Sequence, residues 1–255
     1  MKQSVGILLY DLEVSREIVE GYPGNKYGEY KVVEVLRHQM LMSYAYKWLG
    51  DKTVHFRHMH EYKTQEEFVQ SLWDLLDKAN IAIAHNLKRF DDKMANRFMI
   101  QFHMIPPSPH KQIDTLQVAR SKFKFPGNSL NALGEFLGLG SKEKITYADI
   151  ETDFINSPSW GVIKKMEKYN KQDVVLLEKI YLRLRPWMTN HPNMAVYSGD
   201  AEGCPMCGSH NRDYLHSPVY TNTMAYRSVR CRDCHHPYRE RLADPDIQNK
   251  PEYVN

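Results

Sequence analysis

Residues 6–15 read GILLYDLEVS: four apolar side chains in a row, then Asp11 and Glu13 at the end of the run. The run reads as a buried strand over residues 5–11. A carboxylate without a partner is costly to bury, so the two acids require water or a cation. Side chains two apart on a strand leave by the same face, which points Asp11 and Glu13 together. Taken alone, the pair reads first as two solvated acids at a surface strand end. Acids elsewhere in the chain decide between the readings.

Working outward, 32–38 (VVEVLRH), 40–48 (MLMSYAYKW) and 53–58 (TVHFRH) are β-branched and aromatic runs that predict further strands, and IAIA at 81–84 predicts a short one. The spacing of Phe68, Leu72, Leu75, Leu76 and Ala79 predicts a helix over 64–79, with Thr64 as N-cap and Glu67 closing a capping box. Further helices are expected over 90–102, 129–140 and 160–188. Strands first, then helices and strands in alternation, predict an α/β layer around a mixed sheet. No internal repeat or low-complexity tract interrupts the chain.

More acids lie in this frame. Residues 84–91, AHNLKRFD, end an apolar strand and place Asp91 in the first turn of the next helix, where dipole complementation would also explain it. In YNKQDVV, Tyr169 and Asp173 are four apart and share one helix face. Leu176, Leu177 and Ile180 follow on the same side, so Asp173 sits close to the apolar stripe.

The ordered set D-x-E on a strand, N-x-x-x-F-D opening a helix and Y-x-x-x-D on a late helix resembles the DEDD superfamily of 3′–5′ exonucleases. The tyrosine is the mark of one subgroup, which includes the proofreading domains of family B DNA polymerases. The resemblance covers residues 5–186, and QIDTLQVARSKFKFPGNSLNALGEFLGLGSKEK (112–144) is similar to the connecting region of such domains. It implies a ribonuclease H-like fold, a five-stranded mixed sheet flanked by helices. It also implies that Asp11, Glu13, Asp91 and Asp173 hold two Mg²⁺ or Mn²⁺ ions. Two such ions, roughly 3.5–4 Å apart, stabilise both ends of an in-line phosphoryl displacement, and hard cations prefer carboxylate oxygens. One ion would be shared by Asp11, Glu13 and Asp173. The other would lean on Asp11 and the substrate phosphate, with Asp91 reaching it through water. Tyr169 would orient the attacking water.

The neighbouring residues have bland readings too. Asp92 adjoins Asp91, but Asp91 follows Phe90 as the family pattern requires. Val14 stands where many relatives have threonine. Asp114, before Thr115, reads first as a helix-entry residue, His85 first as structural, and Asn86 as either a substrate contact or a turn cap. The segment 16–31 is long for a connection, and its Tyr22, Lys26, Tyr27, Tyr30 and Lys31 could steer a strand end or simply cover the sheet edge. Lys164, Lys165, Lys168 and Lys171 form either a phosphate-facing flank or a solvated helix face.

A polar, Gly- and Pro-bearing stretch from 189 to 203 reads as a linker after a first domain at 1–188. All four cysteines follow it. Cys204-Pro-Met-Cys207 and Cys231-Arg-Asp-Cys234 are paired C-x-x-C knuckles, a zinc pattern that predicts a structural Zn²⁺ and a zinc ribbon over 204–241, before a polar tail at 242–255. Among the arginines of 227–241, Arg227 and Arg230 join Asn86 and Lys168 as candidate nucleic-acid contacts.

With 255 residues, 42% hydrophobic composition and a net charge of +3, the chain suits one medium domain plus a small module, and bulk charge does not announce a nucleic-acid binder. No run approaches the ~18 apolar residues of a membrane span, and the amino-terminal run is too short for a signal peptide. A cytoplasmic protein with reduced thiols is expected, in the host cytoplasm if phage-encoded. The expected activity is a 3′–5′ exonuclease on single-stranded 3′ ends, DNA in preference to RNA, in replication, repair or phage DNA metabolism. A replication or repair protein is the expected partner of the zinc ribbon. A structure-specific endonuclease on the same acids and a non-catalytic zinc-ribbon adaptor are the alternatives.

Overall fold

The computed structural model describes residues 5–22, 31–141 and 147–241. Lys26, Tyr27 and Tyr30 of the aromatic segment, and the tail 242–255, lie outside the described residues. Among the described residues no helix is long and apolar enough to cross a membrane. The chain divides into two compact units, one spanning Gly6–Ile180 and the other beginning at Tyr181.

The first unit is built on a five-stranded mixed sheet. Strand β1 (Ile7–Val14) lies at its centre. After β2 (Ile18–Tyr22) and β3 (Lys31–Arg37), β4 (Leu41–Trp48) runs antiparallel to β1, and β5 (His55–His58) antiparallel to β4. On the other side of β1, β6 (Ile81–Ala84) and β7 (Lys111–Asp114) are parallel to it, giving the order β5-β4-β1-β6-β7. The expected sheet is thus present, but its membership differs. The 32–38 run forms a separate two-stranded ribbon with β2, because Val32, Val33 and Leu36 stay exposed and bury nothing against a core. Its place in the sheet is taken by β7.

Helix α1 (Gln65–Asp77) starts as expected: the Thr64 hydroxyl accepts from Glu67 N–H, and the Glu67 carboxylate returns to Lys63 N–H, one residue upstream of the cap. Helix α2 (Asp91–Gln101) packs beside α1, and both cover the sheet face carrying Leu8, Tyr10, Leu12 and Val14. Asp114 opens α3 (Thr115–Lys122). Helix α4 (Leu130–Phe136) stops short of 140 because Gly138 and Gly140 take positive φ. Helix α5 (Tyr147–Asn156) has no counterpart in the sequence reading. Helix α6 (Trp160–Leu184) ends before 188, as Pro186 lacks the N–H that another turn would need. Lys47 of β4 pairs with Glu178 of α6 at 2.5 Å, both largely buried, which anchors that helix to the sheet.

The second unit carries a short helix, α7 (Met194–Ser198), within the stretch expected as a linker; the Asn193 side chain caps it. Strands β8 (Arg212–Tyr214), β9 (Val219–Tyr220), β10 (Ala225–Cys231) and β11 (Pro237–Arg241) form an antiparallel sheet around β10. This small sheet and the four-cysteine cluster beside it are compatible with a zinc ribbon.

Candidate active site

The alternation of β1 divides its side chains. Leu8, Tyr10, Leu12 and Val14 enter the core under α1 and α2, so Asp11 and Glu13 leave by the opposite face. The register shifts between Glu13 and Val14, and such a bulge ends regular pairing where the acids project. Val14 itself is buried opposite Leu41. On α6, Asp173 is buried, and its carboxylate meets those of Asp11 and Glu13, with one oxygen from each within 4.8 Å of the others. At an effective dielectric near 20, two unit charges that close repel by about 3 kcal/mol or more. Three carboxylates held together therefore fit a bound cation. An all-oxygen donor set suits Mg²⁺ or Mn²⁺, not a soft metal.

Asp91 lies beside this group but outside the 4.8 Å set. It is 2% exposed, and its Oδ1 accepts from Leu12 N–H at 3.2 Å. Burial, and then the Asp11 charge, push its carboxyl well above the ordinary range. Asp92 turns to β7, accepting from Gln112 Nε2 at 2.6 Å. The two adjacent acids thus serve different neighbours. Tyr169, four residues before Asp173, packs against the cluster of Met42, Ile150, Phe154 and Met166.

Asn170 is a site residue that the sequence reading passed over. It is fully buried, and its Nδ2 donates to Asp11 Oδ2 at 2.7 Å and to the Asp11 carbonyl at 3.2 Å. Its Oδ1 accepts from Ser43 Oγ at 3.3 Å. A carboxylate can only accept and a hydroxyl can donate, so the two neighbours fix which end of the amide faces Asp11. The available signal was its place on the helix: Asn170 lies four residues from both Met166 and Val174, on the apolar stripe.

Asp114 is buried and accepts from Asn86, Leu116 and Gln117 N–H through Oδ1 and from Lys88 N–H through Oδ2. It caps α3 and ties down the turn leading to Asp91. Asn86 holds the left-handed conformation in that turn, with φ 72°. His85 spends both ring nitrogens on Thr115 Oγ1 and the Asn128 carbonyl. Lys168 is exposed on α6 and lines a groove of about 490 Å³ with Lys171, Lys179 and the 139–141 turn. Tyr22 and Lys31 face each other across the β2–β3 ribbon.

In the second unit, Cys204, Cys207, Cys231 and Cys234 bring their sulfurs within 4.8 Å of one another. Cys204–Cys234 and Cys207–Cys231 are 3.7 and 3.6 Å apart, too far for disulfides. Zn–S bonds of about 2.3 Å in a tetrahedron place sulfurs roughly 3.8 Å apart, so the cluster has the size of a zinc site. The two knuckles match. Gly208 N–H donates to the Cys204 carbonyl and His235 N–H to the Cys231 carbonyl. Both residues take positive φ, 77° and 61°. His210 pairs with Asp200, and His236 with the Pro186 carbonyl. Arg227 and Arg230, three apart on β10, point to opposite faces of its sheet.

No curated protein matches the chain. Among solved structures, the family B DNA polymerase from the hyperthermophilic archaeon Pyrobaculum calidifontis shares the fold at a TM-score of 0.54 and 13% identity; the match covers 72% of this chain and 25% of that one. The chain therefore spans about a quarter of that relative's length. The RNase_H_2 family model, described as RNase_H superfamily, matches residues 36–185. That stretch contains Asp91, Tyr169 and Asp173, while Asp11 and Glu13 precede it. The matched stretch makes up more than half of the chain, and by it the chain belongs to the RNase H superfamily.

Proposed function

We propose that this protein is a metal-dependent 3′–5′ exonuclease that hydrolyses phosphodiester bonds at single-stranded nucleic-acid 3′ ends, in replication, repair or phage DNA metabolism. One observation carries the reading: the carboxylate oxygens of Asp11, Glu13 and Asp173, from two elements far apart in sequence, lie within 4.8 Å of one another. Membership of the RNase H superfamily supports nuclease chemistry. The similarity to a DNA polymerase favours DNA over RNA.

Asp11, Glu13 and Asp173 would hold Mg²⁺ or Mn²⁺, with Asp91 alongside. Bound there, such ions supply Lewis-acid stabilisation of the charge that develops on a phosphoryl group and its leaving oxygen. Asn170 keeps the Asp11 carboxylate in one orientation, and Asp114 fixes the turn that presents Asp91. Tyr169, on the Asp173 face of α6, orients the attacking water. Asn86 and Lys168 contact the strand near its end. In the second unit the four cysteines hold one structural Zn²⁺, and its sheet offers Arg227 and Arg230 to nucleic acid or to a replication or repair protein.

Purified protein with Mg²⁺ or Mn²⁺ should release mononucleotides from a labelled single-stranded oligonucleotide, and Asp11→Asn or Asp173→Asn should abolish release. Activity retained in both variants refutes the assignment. A substrate labelled at both ends separates the modes, since early internal fragments identify an endonuclease. Binding without turnover identifies an adaptor.

A further inference from the structure

Strands β8, β10 and β11 share two faces, and their register sorts the side chains between them. Val229 pairs with Tyr238 on one side and Tyr214 on the other, and Arg227 pairs with Glu240. Cross-strand partners lie on one face, as do residues two apart. Tyr214, Arg227, Val229, Cys231, Tyr238 and Glu240 therefore form one face. Val229 and Cys231 are buried there, and Glu240 pairs with Arg212 at 2.8 Å. The opposite face carries Tyr226 across from Arg241, Ser228 across from Arg239, and Arg230 between Pro237 and Asp213. The Arg239 guanidinium lies 4.6 Å from the Tyr226 ring centre, as two side chains on the same face allow.

This second face is open and basic. In β11, Pro237, Arg239 and Arg241 are exposed, while Tyr238 and Glu240 between them are half-buried. Arg230 is exposed as well. Asp213 is the one carboxylate that the described strands place on this face, and Arg232 takes it, with Nε 2.8 Å from Oδ1. Among the described residues no carboxylate pairs with Arg230, Arg239 or Arg241. The three occupy successive rows of the sheet. Arg230 lies opposite Pro237, Arg239 follows two residues on, and Arg241 two residues beyond that. Two residues of strand rise roughly 6.8 Å, an interval like that between neighbouring phosphates of an extended single strand.

We infer that this face binds single-stranded nucleic acid, with successive backbone phosphates met by Arg230, Arg239 and Arg241. Planar guanidinium groups match phosphate oxygens in bidentate fashion. The Tyr226 ring holds the Arg239 guanidinium at the middle of the row. Contacts to phosphate alone make binding independent of sequence. A single strand can follow the twisted face, which a stiff duplex cannot. An acidic peptide would also suit the charges; the choice of nucleic acid over it rests on the nuclease reading of the first unit, whereas the basic row does not. Of the two arginines offered to nucleic acid above, Arg230 alone belongs to this row.

The test uses the full chain carrying Asp11→Asn, so that the probe survives. Fluorescence anisotropy measures affinity for a labelled deoxyoligonucleotide of roughly 12 residues, within the span one small binding module covers, over salt from about 50 to 200 mM. The triple change Arg230→Ala, Arg239→Ala, Arg241→Ala should lower affinity at least tenfold. It should also reduce the slope of log affinity against log salt by about 2, at roughly 0.7 per phosphate contact. Arg227→Ala removes the same charge from the other face and should bind as the parent. If the triple variant fails to fold, Arg230→Gln and Arg241→Gln taken singly decide the matter, each lowering the slope by about 0.7. Parental affinity and slope in the row variants, a loss with Arg227→Ala equal to that with Arg230→Gln, no binding by the parent, or equal competition by polyglutamate or by duplex DNA would each overturn the inference. Hydrolysis is scored separately on the unmodified chain. Row-dependent binding without hydrolysis removes the nuclease reading and leaves this surface standing, and hydrolysis without row-dependent binding does the reverse.

Discussion

Replacing Asn170 by leucine keeps most of the side-chain volume and removes every polar contact of the amide. Asp11 loses donors at 2.7 Å on its carboxylate and 3.2 Å on its carbonyl, and Ser43 loses its acceptor. A hydrogen bond to a charged group contributes about 1.5–3 kcal/mol. At 1.4 kcal/mol per tenfold, that range corresponds to roughly 10- to 150-fold in the affinity of the carboxylates for a cation. This agrees with the 10- to 100-fold typical when a group supporting a metal ligand is lost. Mn²⁺ titration by calorimetry reads the change directly, with circular dichroism as the control for folding. Ser43→Ala gives a graded companion. Its bond to Asn170 is longer, at 3.3 Å, and joins two neutral groups, so a loss of about 1 kcal/mol is expected, or roughly fivefold. A folded Asn170→Leu protein that binds Mn²⁺ like the parent would refute the positioning role.

Other outcomes follow from the same structure. Purified protein should carry one Zn²⁺ per chain, and Cys207→Ser should release it to a chelator that leaves the parent loaded, as read by elemental analysis. Gly134→Ala should destabilise the first unit by about 1–3 kcal/mol in urea, because a Cβ there would lie 2.5 Å from the Gly140 carbonyl oxygen and 2.9 Å from a Leu176 methyl; unchanged stability would contradict the packing of α4 on α6. Burial lowers His191 to about 4, so the unfolded chain takes up its proton first as the solution is acidified. Stability should therefore fall from pH 6.5 towards pH 4 by as much as about 3 kcal/mol from this residue, and His191→Gln should flatten that part of the profile.

Groupings set by spacing within one element were legible in the sequence. Asp11 and Glu13 are two apart on a strand, and each cysteine pair sits in one knuckle. Features set by a neighbouring element were not legible. β7 has only four residues, and its identity as a strand comes from its parallel partner β6. The VVEVLR run has the β-branched composition of a sheet strand, and only its exposure reveals a ribbon. Asn170 gains its role from Asp11, 159 residues away. The opposed directions of Arg227 and Arg230 follow from a spacing of three and could have been read beforehand.

The central claim is that Asp11, Glu13 and Asp173 form a divalent cation site. Anomalous difference maps from crystals soaked in Mn²⁺, collected above the manganese absorption edge, test it most directly. The account predicts a peak bonded to oxygens of all three carboxylates. A well-ordered site without a peak, or manganese bound only elsewhere, would contradict it.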